Sequence, residues 1–133
     1  MAKKIRTHQD LEVYRSAYAV SMKIFWLSKK FPQEEIYSLT SQIRWSSQSV
    51  SASICEAWRK RRYQGAFVSK LSDAETEAAE TQVWVQYAVD CKYLERGEAV
   101  ELYRAYDKML ATTVGMINHP DTWVIGDSPE RAA

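Results

Sequence analysis

A chain of 133 residues, 46% apolar and 26% charged, has one domain's length and an ordinary globular composition, which excludes a collagen, a disordered tail and a tandem array. Four Gly and three Pro are too few for the turns that a sandwich or barrel needs every 8–12 residues or so, and a few long helices are favoured instead. The net charge of +1 conceals an asymmetry: residues 1–70 carry 13 basic and 5 acidic side chains, net +8, and residues 71–133 carry 5 and 12, net −7. Such halves predict either one basic face or helices that neutralise each other in pairs.

The chain opens on a basic arm, residues 1–7, with Lys3, Lys4 and Arg6. No apolar h-region follows the arm and no apolar run approaches the ~18 residues of a membrane span, so no secretory signal or membrane contact is expected and the protein reads as cytoplasmic. The first helix is predicted over about residues 9–30, with Thr7, His8 and Asp10 at its start and Phe31-Pro32 ending it. Two apolar stripes share it: Leu11, Tyr14, Tyr18 and Phe25, and Val13, Ala17, Val20, Ile24 and Leu27. Together they exceed one face, and a helix that apolar requires cover on two sides.

A second helix is predicted to begin after Pro32 with Glu34 and Glu35, which suit the positive end of the helix dipole, and to reach about residue 62. Its stripe is Ile36, Leu39, Ile43, Val50 and Ile54, interleaved with Ser46, Ser47, Ser49, Ser51, Ala52, Ser53 and Ala57, small residues that allow a neighbouring backbone to come close. The third helix is predicted over about residues 66–94, with Phe67, Leu71, Ala74, Ala78, Val85 and Ala88 inward and Arg96-Gly97 ending it. The fourth covers about residues 98–118, with Leu102, Tyr103, Tyr106, Met109, Leu110, Thr113 and Ile117 inward. Residues 120–133, with Pro120, Gly126 and Pro129, read as a loose tail that Trp123 could anchor in part. The expected fold is all-α, an antiparallel up-down-up-down four-helix bundle spanning residues 1–119 as one domain.

Catalytic constellations are missing from this pattern. A di-iron bundle needs a Glu-x-x-His pair on each of two helices, whereas His8 and His119 fall outside the helices or at their edges. Asp73, Glu75, Glu77 and Glu80 gather on one helix, an arrangement that reads as a solvated or salt-bridged face. Cys55 and Cys91 have no partner cluster and read as reduced core residues. With no Gly-rich phosphate loop and no nucleophile elbow, no catalytic residue, metal ligand or cofactor is expected, and no enzyme.

The sharpest local feature is Trp58-Arg59-Lys60-Arg61-Arg62-Tyr63, four cations between two aromatics at a predicted helix end. Guanidinium groups beside rings grip phosphate and stack on bases, so Arg59, Lys60, Arg61 and Arg62, joined by Lys3, Lys4 and Arg6 of the arm at the same pole, form a candidate nucleic-acid-binding patch. Four consecutive helical residues spread over about 300°, so not all can face one ligand; the competing reading has some bridging to Glu56 or to acids of the third helix. Gln42, Arg44 and Glu56 are polar residues on a largely buried helix and are expected to form a structural polar network, Arg44 reaching Gln48 and Glu56 reaching Lys60.

The segment Phe31-Pro32-Gln33-Glu34-Glu35-Ile36-Tyr37-Ser38-Leu39-Thr40-Ser41-Gln42-Ile43-Arg44, followed by Ser49-Val50 and Glu56, resembles the signature of the bacterial 23S rRNA intervening-sequence proteins, also labelled S23 ribosomal proteins. Leu11, Val13, Tyr14, Ala74 and Glu80 extend the likeness over roughly residues 8–118. Ser53-Ile54-Cys55-Glu56-Ala57 departs from the Asn-Ile-Ala-Glu-Gly usual at that place. The resemblance implies a four-helix bundle and a homo-oligomer, expected as a ring of five, and is similar to accessory proteins of diversity-generating retroelements, which associate with nucleic acid and a reverse transcriptase. It brings no catalytic residues. The expected function is therefore nucleic-acid binding by an oligomer, with a protein-interaction scaffold as the alternative.

Overall fold

A computed structural model describes residues 4–125; Lys3 and the tail beyond residue 125 lie outside the described residues. Those residues form a four-helix bundle, α1 (Glu12–Ser28), α2 (Leu39–Arg59), α3 (Gln64–Asp90) and α4 (Arg96–Asn118), with no strand among them. No helix there is long and apolar enough to cross a membrane.

Several helix boundaries are set by local hydrogen bonds or backbone turns, and several fall inside the predicted spans. The Asp10 carboxylate accepts the backbone amides of Arg6 and Thr7, and Thr7 caps the amide of Gln9, which pinches His8–Asp10 into a separate 3-10 turn ahead of α1. Glu34 and Glu35 likewise belong to a separate turn, Gln33–Glu35, and not to the start of α2. Ser38 breaks the run with a backbone that is neither helical nor extended (φ −126°, ψ −103°), while the Glu35 carboxylate accepts hydrogen bonds from the Ser38 and Tyr93 hydroxyls.

At the other end α2 stops at Arg59, where Lys60 leaves helical geometry (φ −103°, ψ 16°). The four cations are therefore not a helical run; three of them lie in the turn to α3. Arg96-Gly97 does not end α3 but opens α4, whose Glu95 amide is capped by the Glu98 carboxylate. The stop of α3 is Lys92 at φ 66°, a left-handed residue that lets the amides of Tyr93 and Leu94 turn back to the Ala88 carbonyl. The tail expected to be loose is packed as far as Ile125: Pro120–Thr122 forms a 3-10 turn, Val124 is buried, and the Ile125 amide donates to the Arg61 carbonyl at 2.9 Å.

The core follows the predicted stripes. Val13, Ala17 and Ile24 of α1, Ile43, Val50 and Ile54 of α2, Phe67, Leu71 and Val85 of α3, and Leu102, Tyr106 and Met109 of α4 are buried in one cluster. Each Val, Leu, Ile, Phe or Met side chain among them contributes about 1.5–3 kcal/mol by leaving water. The small residues of α2 do what their size permits. The Thr81 hydroxyl of α3 donates to Ser46 Oγ at 2.9 Å inside the interface, and Ser53 Oγ donates to Glu77 at 2.7 Å. The hydroxyl of Tyr106, beside Ser47 and Thr81 with no hydrogen bond of ordinary length, is pushed well above the usual phenol range by burial and stays neutral. Tyr103, Ile36 and Cys91, read as inward or core, are exposed instead.

Candidate nucleic-acid interface

Arg59, the last residue of α2, and Lys60, Arg61 and Arg62 of the following turn are presented on a tightly tied backbone. The Lys60 amide donates to the carbonyls of Glu56 and Ala57, the Tyr63 amide to Lys60, and the Phe67 amide to Tyr63. Arg61 is folded inward: its guanidinium lies 3.4 Å from the ring centroid of buried Trp58, and its Nε donates to the Trp58 carbonyl at 2.8 Å. Partial burial, with the neighbouring Arg59 charge, draws its pKa below the usual guanidinium value. The side chains of Arg59, Lys60 and Arg62 are exposed, and among the described residues they make no hydrogen bond or ion pair. The ring of Tyr63, 67% exposed, also has no ring partner there.

The acids that sequence reasoning offered to this run are engaged elsewhere. Glu56 does not pair with Lys60; it meets Lys70 of α3 at 3.0 Å, and the same Lys70 reaches Asp73 at 3.7 Å, which raises the lysine pKa. Glu77 accepts from Ser53, and burial holds it above the usual carboxylate range against that hydrogen bond. Between helices of the two halves, Lys23–Glu101 is the one ion pair among the described residues that joins a cation of the first half to an acid of the second; Glu12–Lys108 at 3.7 Å runs the other way. Even with Lys70–Asp73 within α3, contact among the described residues neutralises little of the charge of the two halves, and the cations of the turn are left over there.

Lys4 and Arg6 of the arm are exposed, and the turn that follows them packs against α1 and α2. Tyr14 and Tyr18, early in α1, line one groove with Ser51 and Cys55, late in α2, which puts Lys4, Arg6 and the cation turn at one end of the bundle. No hydrogen bond or ion pair joins the two segments among the described residues. The expected polar network is not one network. Arg44 donates from Nε to Ser28 Oγ at 2.7 Å, with its guanidinium over the Phe25 ring at 4.9 Å, not along α2 to Gln48. Glu56 ties α2 to α3 through Lys70, and Gln42 is exposed at the rim of a groove with Tyr37, Trp84 and Tyr87.

The apolar excess read from the sequence is there, but the residues that carry most of it, Trp26, Trp45 and Tyr37, were not singled out by it. Trp26 is 61% exposed, Trp45 72% and Tyr37 94%. An open groove of about 600 Å³ between α1 and α2 is lined by Tyr14, Tyr18, Met22, Phe25 and Ala52, and another of about 430 Å³ beside α2 and α3 includes Trp84, whose indole nitrogen is buried with no acceptor. The available signal was spacing: Tyr18, Met22 and Trp26 recur every four residues, and Trp45 falls off the Ile43–Val50 stripe. Among the described residues no group of three or more His, Cys, Asp or Glu is arranged to hold a metal ion.

The family model described as 23S rRNA-intervening sequence protein matches residues 9–115. Among solved structures the chain is similar to a protein of unknown function from the S23 ribosomal protein family of Bacteroides thetaiotaomicron VPI-5482, with a TM-score of 0.73 at 23% identity, over 80% of this chain and 95% of that one. No curated protein shows significant similarity to the chain. At 23% identity the structural likeness speaks to the fold alone.

Proposed function

Because the chain belongs to the 23S rRNA-intervening sequence protein family, we propose that it is a non-enzymatic, oligomeric, cytoplasmic four-helix-bundle protein that binds structured RNA or DNA through the cation turn after α2. The observation that carries the reading is that Arg59, Lys60 and Arg62 stand exposed and make no hydrogen bond or ion pair among the described residues, while the nearby acids Glu56, Asp73 and Glu77 are engaged by Lys70 and Ser53. A cation held free on a rigid turn displaces counterions from a phosphate backbone without first breaking an internal ion pair. Lys4 and Arg6 extend the same basic end, and the helices are read as up-down-up-down, in support of which Glu12 meets Lys108 while Lys23 meets Glu101.

Self-association, read as a ring of five, is the second part of the proposal. Trp26, Trp45 and Tyr37 and the two grooves beside α2 expose more aromatic surface than a lone soluble bundle ordinarily leaves in water. A ring multiplies a modest basic patch around its axis, so weak contacts per subunit add through effective concentration. The same exposed aromatics favour the alternative reading, a scaffold that docks a partner protein; a partner retained after nuclease treatment and high salt supports that reading. The direct test of the first is to sequence nucleic acid that co-purifies at low salt and to compare Arg59→Glu/Lys60→Glu/Arg62→Glu with the parent. Equal recovery from both would remove the turn from the interface.

A further inference from the structure

Resting on the nucleic-acid reading above, we infer that the turn recognises unpaired nucleotides, one base stacking on Tyr63 while Arg59, Lys60 and Arg62 hold the flanking phosphates. The sequence places two aromatics around the cations, and only one of them is available. Trp58 is buried, and one face of its ring is covered by the Arg61 guanidinium at 3.4 Å. Tyr63 is 67% exposed, with no aromatic or cation partner among the described residues, and it sits at the extended residue (φ −126°, ψ 111°) that enters α3. Its side chain makes no capping hydrogen bond to that helix.

What such a ring can gain depends on which faces of the nucleic acid are open. A duplex shows phosphates and base edges at its surface and keeps its base faces stacked, so it can satisfy Arg59, Lys60 and Arg62 but offers nothing to Tyr63. A loop, bulge or single strand offers a free π-face within reach of the same cations, and stacking on a surface ring is sequence-tolerant because every base has such a face. The turn is also prepared for the contact. Hydrogen bonds from the amides of Lys60, Tyr63 and Ile125, together with the folded-back Arg61, hold its backbone, so little ordering is left to be done on binding. Because the base face rather than the sugar is recognised, RNA and DNA strands both fit.

The experiment uses the full chain and fluorescence anisotropy with labelled oligouridine and oligothymidine of about 20 nucleotides and blunt RNA and DNA duplexes of the same length, at about 50 mM salt. Single strands are expected to bind more tightly than duplexes. Tyr63→Ala is expected to lose about five- to 100-fold on single strands and nothing on duplexes, with Tyr63→Phe retaining the parent affinity. Far-UV circular dichroism of both variants should match the parent, because the residue is 67% exposed and makes no ring or cation–π contact among the described residues. A preference for RNA or DNA strands identifies the source of the unpaired base. If single strands and duplexes bind alike, Tyr63→Ala is indistinguishable from the parent and Arg59→Glu/Lys60→Glu/Arg62→Glu abolishes both, the inference is overturned and the nucleic-acid reading stands. If no probe binds, both fall.

Discussion

The Arg61 guanidinium stacks on the Trp58 ring at 3.4 Å and donates to the Trp58 carbonyl at 2.8 Å, so one of four consecutive cations is a structural residue while its neighbours make no hydrogen bond or ion pair among the described residues. A cation–π contact and a charge-assisted hydrogen bond together contribute about 1–3 kcal/mol. Arg61→Ala is therefore expected to lower the unfolding free energy by that amount in urea titration. It should leave the slope of log affinity against log salt for nucleic acid unchanged. A lost binding slope with unaltered stability would reverse the assignment.

The neutral triple variant Arg59→Gln/Lys60→Gln/Arg62→Gln has the opposite profile. All three side chains are exposed and make no hydrogen bond or ion pair among the described residues, so its stability should stay within about 0.5 kcal/mol of the parent. If each cation displaces one counterion, the magnitude of the salt slope should fall by about 2–3. An unchanged slope would place the phosphate contacts elsewhere.

Inside the α2–α3 interface, Thr81→Val keeps the shape of the side chain and removes the hydroxyl that donates to Ser46. Ser46 Oγ is buried there, with one long bond at 3.5 Å to the Ile43 carbonyl remaining. The expected loss is about 1–3 kcal/mol, because an unmade buried hydrogen bond carries the full desolvation cost. Thermal unfolding checks it, and a neutral result would mean that the interface relaxes or admits water.

Glu77 should make stability fall as pH rises through the acid range. Burial lifts its pKa, with Asp73 and Glu80 on α3 and Glu56 on α2 adding to the lift and Ser53 opposing it. The folded state then holds the proton more tightly than the unfolded state, so ionisation costs stability above the folded-state value, and the cost vanishes below the unfolded value of about 4.3. Glu77→Gln has nothing to ionise and can still accept from Ser53. Its Tm should exceed the parent's at neutral pH, and the gap should close as the pH falls to about 4. Glu35 acts in the other sense: the Ser38 and Tyr93 hydroxyls hold its pKa below the usual range, and that stabilisation, present at neutral pH, is lost in acid. The comparison with the parent at each pH cancels it. A gap that does not depend on pH would refute the role of Glu77.

Self-association gives the simplest measurement. Light scattering of the parent is expected to report a multimer, and Trp26→Ser/Trp45→Ser a smaller species with the same helicity, since both indoles are mostly in water in the single chain. A monomeric parent would remove the oligomer from the proposed function.

Helix content and core were legible in the chain because they rest on periodicity. Ile43, Val50 and Ile54, or Phe67, Leu71 and Val85, recur at the helical repeat, and burial of such a stripe is the largest favourable contribution available to the chain. The family was legible as well, since the Phe31–Arg44 segment is long and specific. What sequence could not determine was where each helix stops and which polar groups meet. Ends depend on hydrogen bonds of about 1 kcal/mol, such as those that Asp10 and Glu35 make, and these compete closely with continuing the helix. Partners depend on approach in space. Glu56 lies four residues from Lys60 on the chain but pairs with Lys70 across the interface, and Arg44 turns to Ser28 and Phe25 instead of Gln48. The tertiary structure alone decided that of four adjacent cations one is clasped by Trp58 and three face solvent, because the turn that ends α2 sets each side chain's direction and α3's own lysine takes up the nearest acids.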